Sequence, residues 1–279
     1  MKLYPMISIG KKFVDRFNDN EVTGQSARLA YFFLLSLFPL LIFLVTLLGY
    51  LPIDYQDVMD FMATYIPGED TLGIIENNLD QVVDNRSGSL LSIGILGTLW
   101  SASNGINAIM RSFNKAYKVE EDRSFIVSRL IAILLLFAML IVIVVALLLP
   151  VFGRMIGVYI FSLFGVTDEF VQVWNMLRWI ISSSIFFIVF LALYKLAPNK
   201  KVYFRDAVFG AIFTTVGWQL VSLGFSFYVN ELGNYSATYG SLGGIIVLMI
   251  WFYITGMIII TGGEINAFIA ERRMKKKKS

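Results

Sequence analysis

Six stretches of the chain stay apolar over a long run of positions, at about 29–51, 89–111, 128–150, 176–197, 207–229 and 242–264, and the charged residues gather between them. A helix rises about 1.5 Å per residue, so roughly 20 apolar residues cross the hydrocarbon core of a bilayer. The pattern predicts an all-α, polytopic membrane protein. A single integral domain over 1–279 is expected, a six-transmembrane-helix bundle with short amphipathic helices at the interface. Composition agrees, because a chain that is 57 % hydrophobic and only 15 % charged carries more apolar surface than one soluble core of 279 residues can hide.

Shorter periodicities fill the connections. Before the first span, Ile9, Phe13 and Phe17 recur every four residues beside Lys11, Lys12 and Arg16, which predicts an amphipathic helix over 5–20. It lies on the membrane surface or packs under the bundle. Between 52 and 88, Val58, Phe61, Met62, Tyr65 and Ile66 form one helical stripe, and Leu72, Ile75, Leu79 and Val82 form another after Pro67-Gly68. Two more amphipathic helices are expected there, and a further short piece over 155–175. Pro39 bends the first span, since it lacks the N–H that the helix needs. The third span has no polar residue through most of its length and is expected to face lipid on most sides.

Charge supplies an orientation. Twenty of the 23 Lys and Arg residues fall in 1–28, the second-to-third connection, the fourth-to-fifth connection and the basic tail over 270–279. Only Arg86, Arg154 and Arg178 fall on the other side, among 11 acidic residues. Lys and Arg beside spans are retained in the cytoplasm, so both termini are expected inside. An even number of spans requires the termini to share a side, so span count and charge rule agree. The first apolar run is too long for a signal h-region and lacks a small-residue cleavage site, so it is expected to remain in the protein.

The chain has no Cys and no His, which excludes thiol catalysis, disulfides, Ser-His-Asp triads and His-ligated metal sites. No catalytic residue, metal or cofactor is expected, and the chain reads as a non-enzyme. The candidate polar core is instead drawn from three spans. The second carries Asn104, Asn107 and Arg111 at helical spacing, the fifth carries Gln219 and Ser222 on a stripe with Thr215 and Ser226, and the sixth ends in Glu264 and Asn266. Gly97, Ser101 and Gly105 in the second span, and Gly240 and Gly244 in the sixth, have the small-residue spacing that lets helices approach closely. Spans two, five and six are therefore expected to form the core. Arg111 and Glu264 reach similar depths from neighbouring spans, and an ion pair or a shared inner vestibule is expected.

Four pieces carry a resemblance: "ARLAYFFLLSLFPLLIFL" at 27–44, "LWSASNGINAIMRSFNKAY" at 99–117, "LAPNKKVYFRDAVFGAIF" at 196–213, and "YGSLGGIIVLMIWFYITGMIIITGGEINA" at 239–267. With them the chain resembles the YihY/BrkB membrane proteins, a family once labelled ribonuclease BN. The resemblance implies a six-helix protein of the bacterial cytoplasmic membrane, associated with envelope integrity and virulence, and no established catalytic site to carry over. A nuclease of the zinc type needs histidines, so that label is not followed.

Two functions stay open. One is a transporter that moves lipids or envelope precursors through the polar core. The other is a scaffold that organises envelope assembly without moving a substrate. The expected partners are membrane lipids, an envelope protein or a second copy of the chain, and not nucleic acid.

Overall fold

Seven helices account for the described residues of a computed structural model, which are 3–48, 88–142, 169–232 and 241–278. They are α1 (Leu3–Asp19), α2 (Val22–Leu48), α3 (Gly88–Tyr117), α4 (described over Phe125–Val142), α5 (Glu169–Leu196), α6 (Phe204–Leu232) and α7 (Ser241–Lys278). The expected amphipathic helices of 52–88 fall outside the described residues apart from Gly88, as does the piece at 155–175 before Glu169.

Five helices are long and apolar enough to cross a membrane, with candidate spans Val22–Phe43, Phe125–Val142, Met176–Leu196, Phe204–Tyr228 and Gly243–Lys275. The expected second span lies on α3, whose 30 residues are long enough, but Ser, Thr, Asn and Gly dilute its apolar character. It is not among the five. The outward faces support a lipid environment. Leu130, Leu134, Phe137 and Ile141 form one exposed apolar ridge on α4, and Phe209, Ile212, Val216, Leu220, Leu223 and Phe227 another on α6. Ridges of that size facing water would be strongly unfavourable.

The chain divides into two compact units, one of Phe32–Ala102 and one of Met1–Tyr31 with Ser103–Ser279. In the smaller unit α2 and α3 meet where side chains are least bulky. A Cβ on Gly94 would stand 2.8 Å from the Phe43 backbone nitrogen, and one on Gly97 would stand 3.0 Å from Pro39 Cβ. Gly97 thus marks a close approach of α3 to Pro39 of α2.

In the larger unit α6 packs along both α5 and α7. Leu29, Ile106, Phe113, Phe190, Leu193, Tyr194 and Ile259 are fully buried or nearly so and form its core. The fourth expected span, now α5, therefore contributes large core residues beside the three spans the polar pattern picked out. Gly244 is exposed with nothing near its Cβ position, and Gly240 lies outside the described residues. The helices also run past the predicted span ends. At 38 residues α7 is about 57 Å long, and it carries the basic tail as helix to Lys278.

The α1–α2 junction is tight. Asn20 N–H donates to the Arg16 carbonyl at 3.0 Å, Glu21 takes a left-handed φ of 54°, and α2 starts at Val22. A non-glycine residue in that conformation costs on the order of 1 kcal/mol. That conformation sets the direction in which α1 leaves α2.

Candidate functional site

The contacts of the larger unit gather its basic segments at one end. Arg16 of α1 reaches the carbonyl of Ala116 near the end of α3, Asn199 after α5 donates to Asn114 Oδ1 of α3 at 2.7 Å, and Arg273 of α7 pairs with Asp206 of α6 at 2.9 Å. Arg123 donates to the carbonyls of Ala197 and Pro198, so the 118–124 and 197–203 connections are tied together.

Glu264 is the centre of this end. It is 1 % exposed, accepts from Arg16 Nε at 2.6 Å through Oε2, and accepts from Asn20 Nδ2 at 2.7 Å through Oε1. Arg16 and Asn20 are four residues apart, so the last turn of α1 and the junction after it bring both donors to one carboxylate. Arg16 also donates to Glu271 Oε2 at 3.0 Å, two turns further along α7, and Glu271 accepts from Lys275 Nζ at 2.7 Å. A ring contact between Phe13 and Phe268, with centroids 6.0 Å apart, seats the apolar face of α1 beside these pairs. Within the larger unit α1 packs against α7 through this contact, and its Arg16 side chain is turned inward.

The expected pairing of Arg111 with Glu264 is overturned. Both carboxylate oxygens of Glu264 are taken by Arg16 and Asn20, and Arg111 is exposed. The reason is azimuth. Ala102, Ile106, Ile109 and Phe113 make the buried stripe of α3, and Arg111 lies off it.

The other candidates are held by different neighbours. Asn104 Oδ1 accepts from Arg129 Nη1 of α4 at 2.9 Å, and Gln219 Nε2 donates to Ser183 Oγ of α5 at 2.8 Å. Asn107 is half-buried, while Ser101 and Gly105 continue the small-residue row on α3. Asn266 Oδ1 accepts from the Gly210 N–H at 2.6 Å, where α6 and α7 come so close that a Cβ on Gly210 would overlap Asn266. Tyr194, which the polar pattern did not flag, meets Thr214 Oγ1 and donates to the Ile259 carbonyl at 2.8 Å.

Several buried polar atoms have no hydrogen-bond partner among the described residues: Thr215 Oγ1 and Ser222 Oγ of α6, Thr255 Oγ1 and Asn266 Nδ2 of α7, Ser128 Oγ of α4 and the Tyr117 hydroxyl. Burial, and after it the Asp206 carboxylate, pushes the Tyr117 phenol well above its ordinary range, so it stays a neutral hydroxyl. Lys200 Nζ lies 5.7 Å from the centre of its ring. No three acidic side chains converge among the described residues as a metal site would require.

The residues that sequence reasoning did not place in the site are Arg16, Asn20, Asp206 and Arg273. Their signal was spacing: Arg16 and Asn20 are four apart, and Glu264 and Glu271 seven apart.

These features define a helical, polytopic membrane protein with a buried ionic cluster at one end of its larger unit. The chain belongs to the family described as Virulence factor BrkB, whose sequence pattern matches residues 13–279. YfkH of Bacillus subtilis, whose name terms it ribonuclease-like, is 53% identical over 267 residues, which are 96% of this chain and 97% of its own length. A UPF0761 membrane protein of Vibrio campbellii is 29% identical over 97% of this chain and 85% of its own, and one of Alteromonas mediterranea is 25% identical over 95% and 88%. No solved structure matches.

Proposed function

We propose that the chain is a transporter of the bacterial cytoplasmic membrane, with both termini inside, that moves lipids or envelope precursors along the polar faces of α6 and α7. The observation that carries this reading is the set of buried polar atoms without a partner among the described residues, Thr215 Oγ1, Ser222 Oγ, Thr255 Oγ1 and Asn266 Nδ2. Polar groups kept only for adhesion between helices would be paired with one another, because an unmade hydrogen bond costs about 1–3 kcal/mol of desolvation. A polar-headed substrate would supply the missing partners. Glu264, held by Arg16 and Asn20, stands at the end of that route, with α1 as its closure.

The second reading is a scaffold for envelope assembly. The close approach of α6 and α7 at Gly210 favours it, since that stretch leaves no room between the helices. We propose no ribonuclease activity: the chain has no His or Cys to build a zinc nuclease, and its inner connections are too short for an RNA-binding domain.

The test is movement of a fluorescent phospholipid in proteoliposomes, read with a surface quencher, for the native chain, Glu264→Gln and empty vesicles. Redistribution by the native chain that the variant lacks supports transport. Folded native chain that moves no lipid shifts the weight to the scaffold.

A further inference from the structure

The turn between α5 and α6 carries aromatic and basic side chains that the ionic cluster does not use. Its backbone is anchored from within: Ala197, Pro198 and Val202 are buried, and Arg123 holds the carbonyls of Ala197 and Pro198. Asn199 and Lys200 are half-buried, and the others point outward. Leu196 is 47 % exposed, Tyr203 60 % and Phe204 56 %. Lys195, Lys201 and Arg205 are exposed among them, and none of the three forms an ion pair with a described residue. Lys195 Nζ lies 5.9 Å from the centre of the Phe204 ring, and the Arg273 guanidinium lies 4.4 Å from the centre of the Tyr203 ring. The acids nearby are engaged elsewhere: Asp206 is 3 % exposed and paired with Arg273, Asp122 accepts from Asn199 Nδ2, and Glu121 lies against Arg123. Lys200 differs from its neighbours, since it turns inward over Tyr117.

We infer that this turn is a binding site for an anionic phospholipid, with Lys195, Lys201 and Arg205 around the headgroup and Leu196, Tyr203 and Phe204 against the glycerol and upper acyl chains. Depth and charge together identify the occupant. The turn joins the ends of two membrane spans, Met176–Leu196 and Phe204–Tyr228, so it sits at headgroup level. Two adjacent exposed aromatic rings are unfavourable in water and favourable in the interfacial layer. Three positive charges without an ion pair among the described residues match a lipid of net negative charge, and not a zwitterionic one whose phosphate is offset by its own cation. The two cation–ring contacts orient the basic side chains along the rings, where a lipid can meet both at once. None of these residues belongs to the polar faces assigned to transport, and the site holds whether or not the protein moves lipid.

Native mass spectrometry of the purified full chain with added phosphatidylglycerol or phosphatidylcholine tests this. A basic residue near an anionic surface is worth roughly fivefold in binding, so the native chain should prefer phosphatidylglycerol by at least about tenfold. The triple substitution Lys195→Gln, Lys201→Gln, Arg205→Gln should abolish the preference. Removing the same charge from the tail, by Lys276→Gln, Lys277→Gln and Lys278→Gln, should leave most of it. Preference that survives the turn variant, or that is lost equally in the tail variant, overturns the site. Soluble glycerol phosphate in excess should not displace the lipid. Displacement would assign the site to a free phosphate ester. If the triple variant fails to fold, Lys195→Gln and Arg205→Gln singly should each lower the preference several-fold, and unchanged binding in both overturns the proposal equally.

Discussion

Arg16 Nε donates to Glu264 Oε2 at 2.6 Å across 248 residues of sequence, with the carboxylate 1 % exposed and the guanidinium 11 %. A buried ion pair gains little over apolar packing, yet breaking it from one side leaves an unpaired buried charge worth about 3–5 kcal/mol. Arg16→Gln alone and Glu264→Gln alone should therefore each lower thermal stability in detergent, and the double variant should lose less than the two combined. A double-mutant cycle read by melting temperature checks it. Additive losses would mean that the pair is not coupled, and α1 would then have no role as a closure at Glu264.

Two buried tyrosines give opposite expectations. Tyr194 bonds Thr214 and the Ile259 carbonyl, so Tyr194→Phe strands a buried acceptor and should cost about 1–3 kcal/mol. The Tyr117 hydroxyl has no partner among the described residues, and Tyr117→Phe removes a desolvated group that gains nothing. It should be neutral or stabilising. Chemical unfolding of the two variants side by side decides the matter, and an equal loss in both would show that Tyr117 is held by a contact of its own.

The long apolar runs were legible because a bilayer demands length and hydrophobicity, which any window along the chain reveals. α3 stands out less for the same reason, since the residues that let it approach α2, Gly94 and Gly97, lower its apolar content. Position along a helix is legible from sequence, and Glu264 lies at the end of the larger unit where its basic segments gather. Azimuth is not. Arg111 and Arg16 both reach that end, but only Arg16 comes from a helix aimed at Glu264, and the aim depends on the left-handed turn at Glu21. Gln219 and Ser222 show the same limit: they share a stripe on α6, yet Gln219 bonds Ser183 of α5 while the Ser222 hydroxyl finds no partner among the described residues.

Close packing at Gly262 and Gly263 makes a steric prediction. A Cβ on Gly262 would overlap the Tyr194 hydroxyl and Thr214, and one on Gly263 would overlap the Phe113 ring. Those neighbours are themselves buried and cannot swing away, so Gly262→Ala and Gly263→Ala should each cost about 1–3 kcal/mol through overpacking. Gly244 has open space at its Cβ position, and Gly244→Ala should be neutral or slightly stabilising, as helix propensity favours alanine. Expression level and melting temperature read the contrast. Tolerance of alanine at 262 would mean that α7 does not sit this close to α5 and α6.

Arg123 joins two connections that sequence leaves unrelated. Its guanidinium donates from Nη1 to the Ala197 carbonyl and from Nη2 to the Pro198 carbonyl, while Asn199 Nδ2 donates to the Glu120 carbonyl at 2.8 Å from the opposite side. A lysine cannot reproduce the fork, because a single ammonium on a flexible stem does not reach two successive carbonyls in fixed geometry. Arg123→Lys should therefore loosen both connections although charge is kept, at a cost of about 1.5–3 kcal/mol for a charged hydrogen bond. Amide hydrogen exchange should quicken in 118–124 and in 197–203 together, and stay unchanged in Arg111→Lys, whose side chain is exposed. Faster exchange in 118–124 alone would show that Arg123 orders only its own connection and that the α5–α6 turn is held by its buried Ala197, Pro198 and Val202.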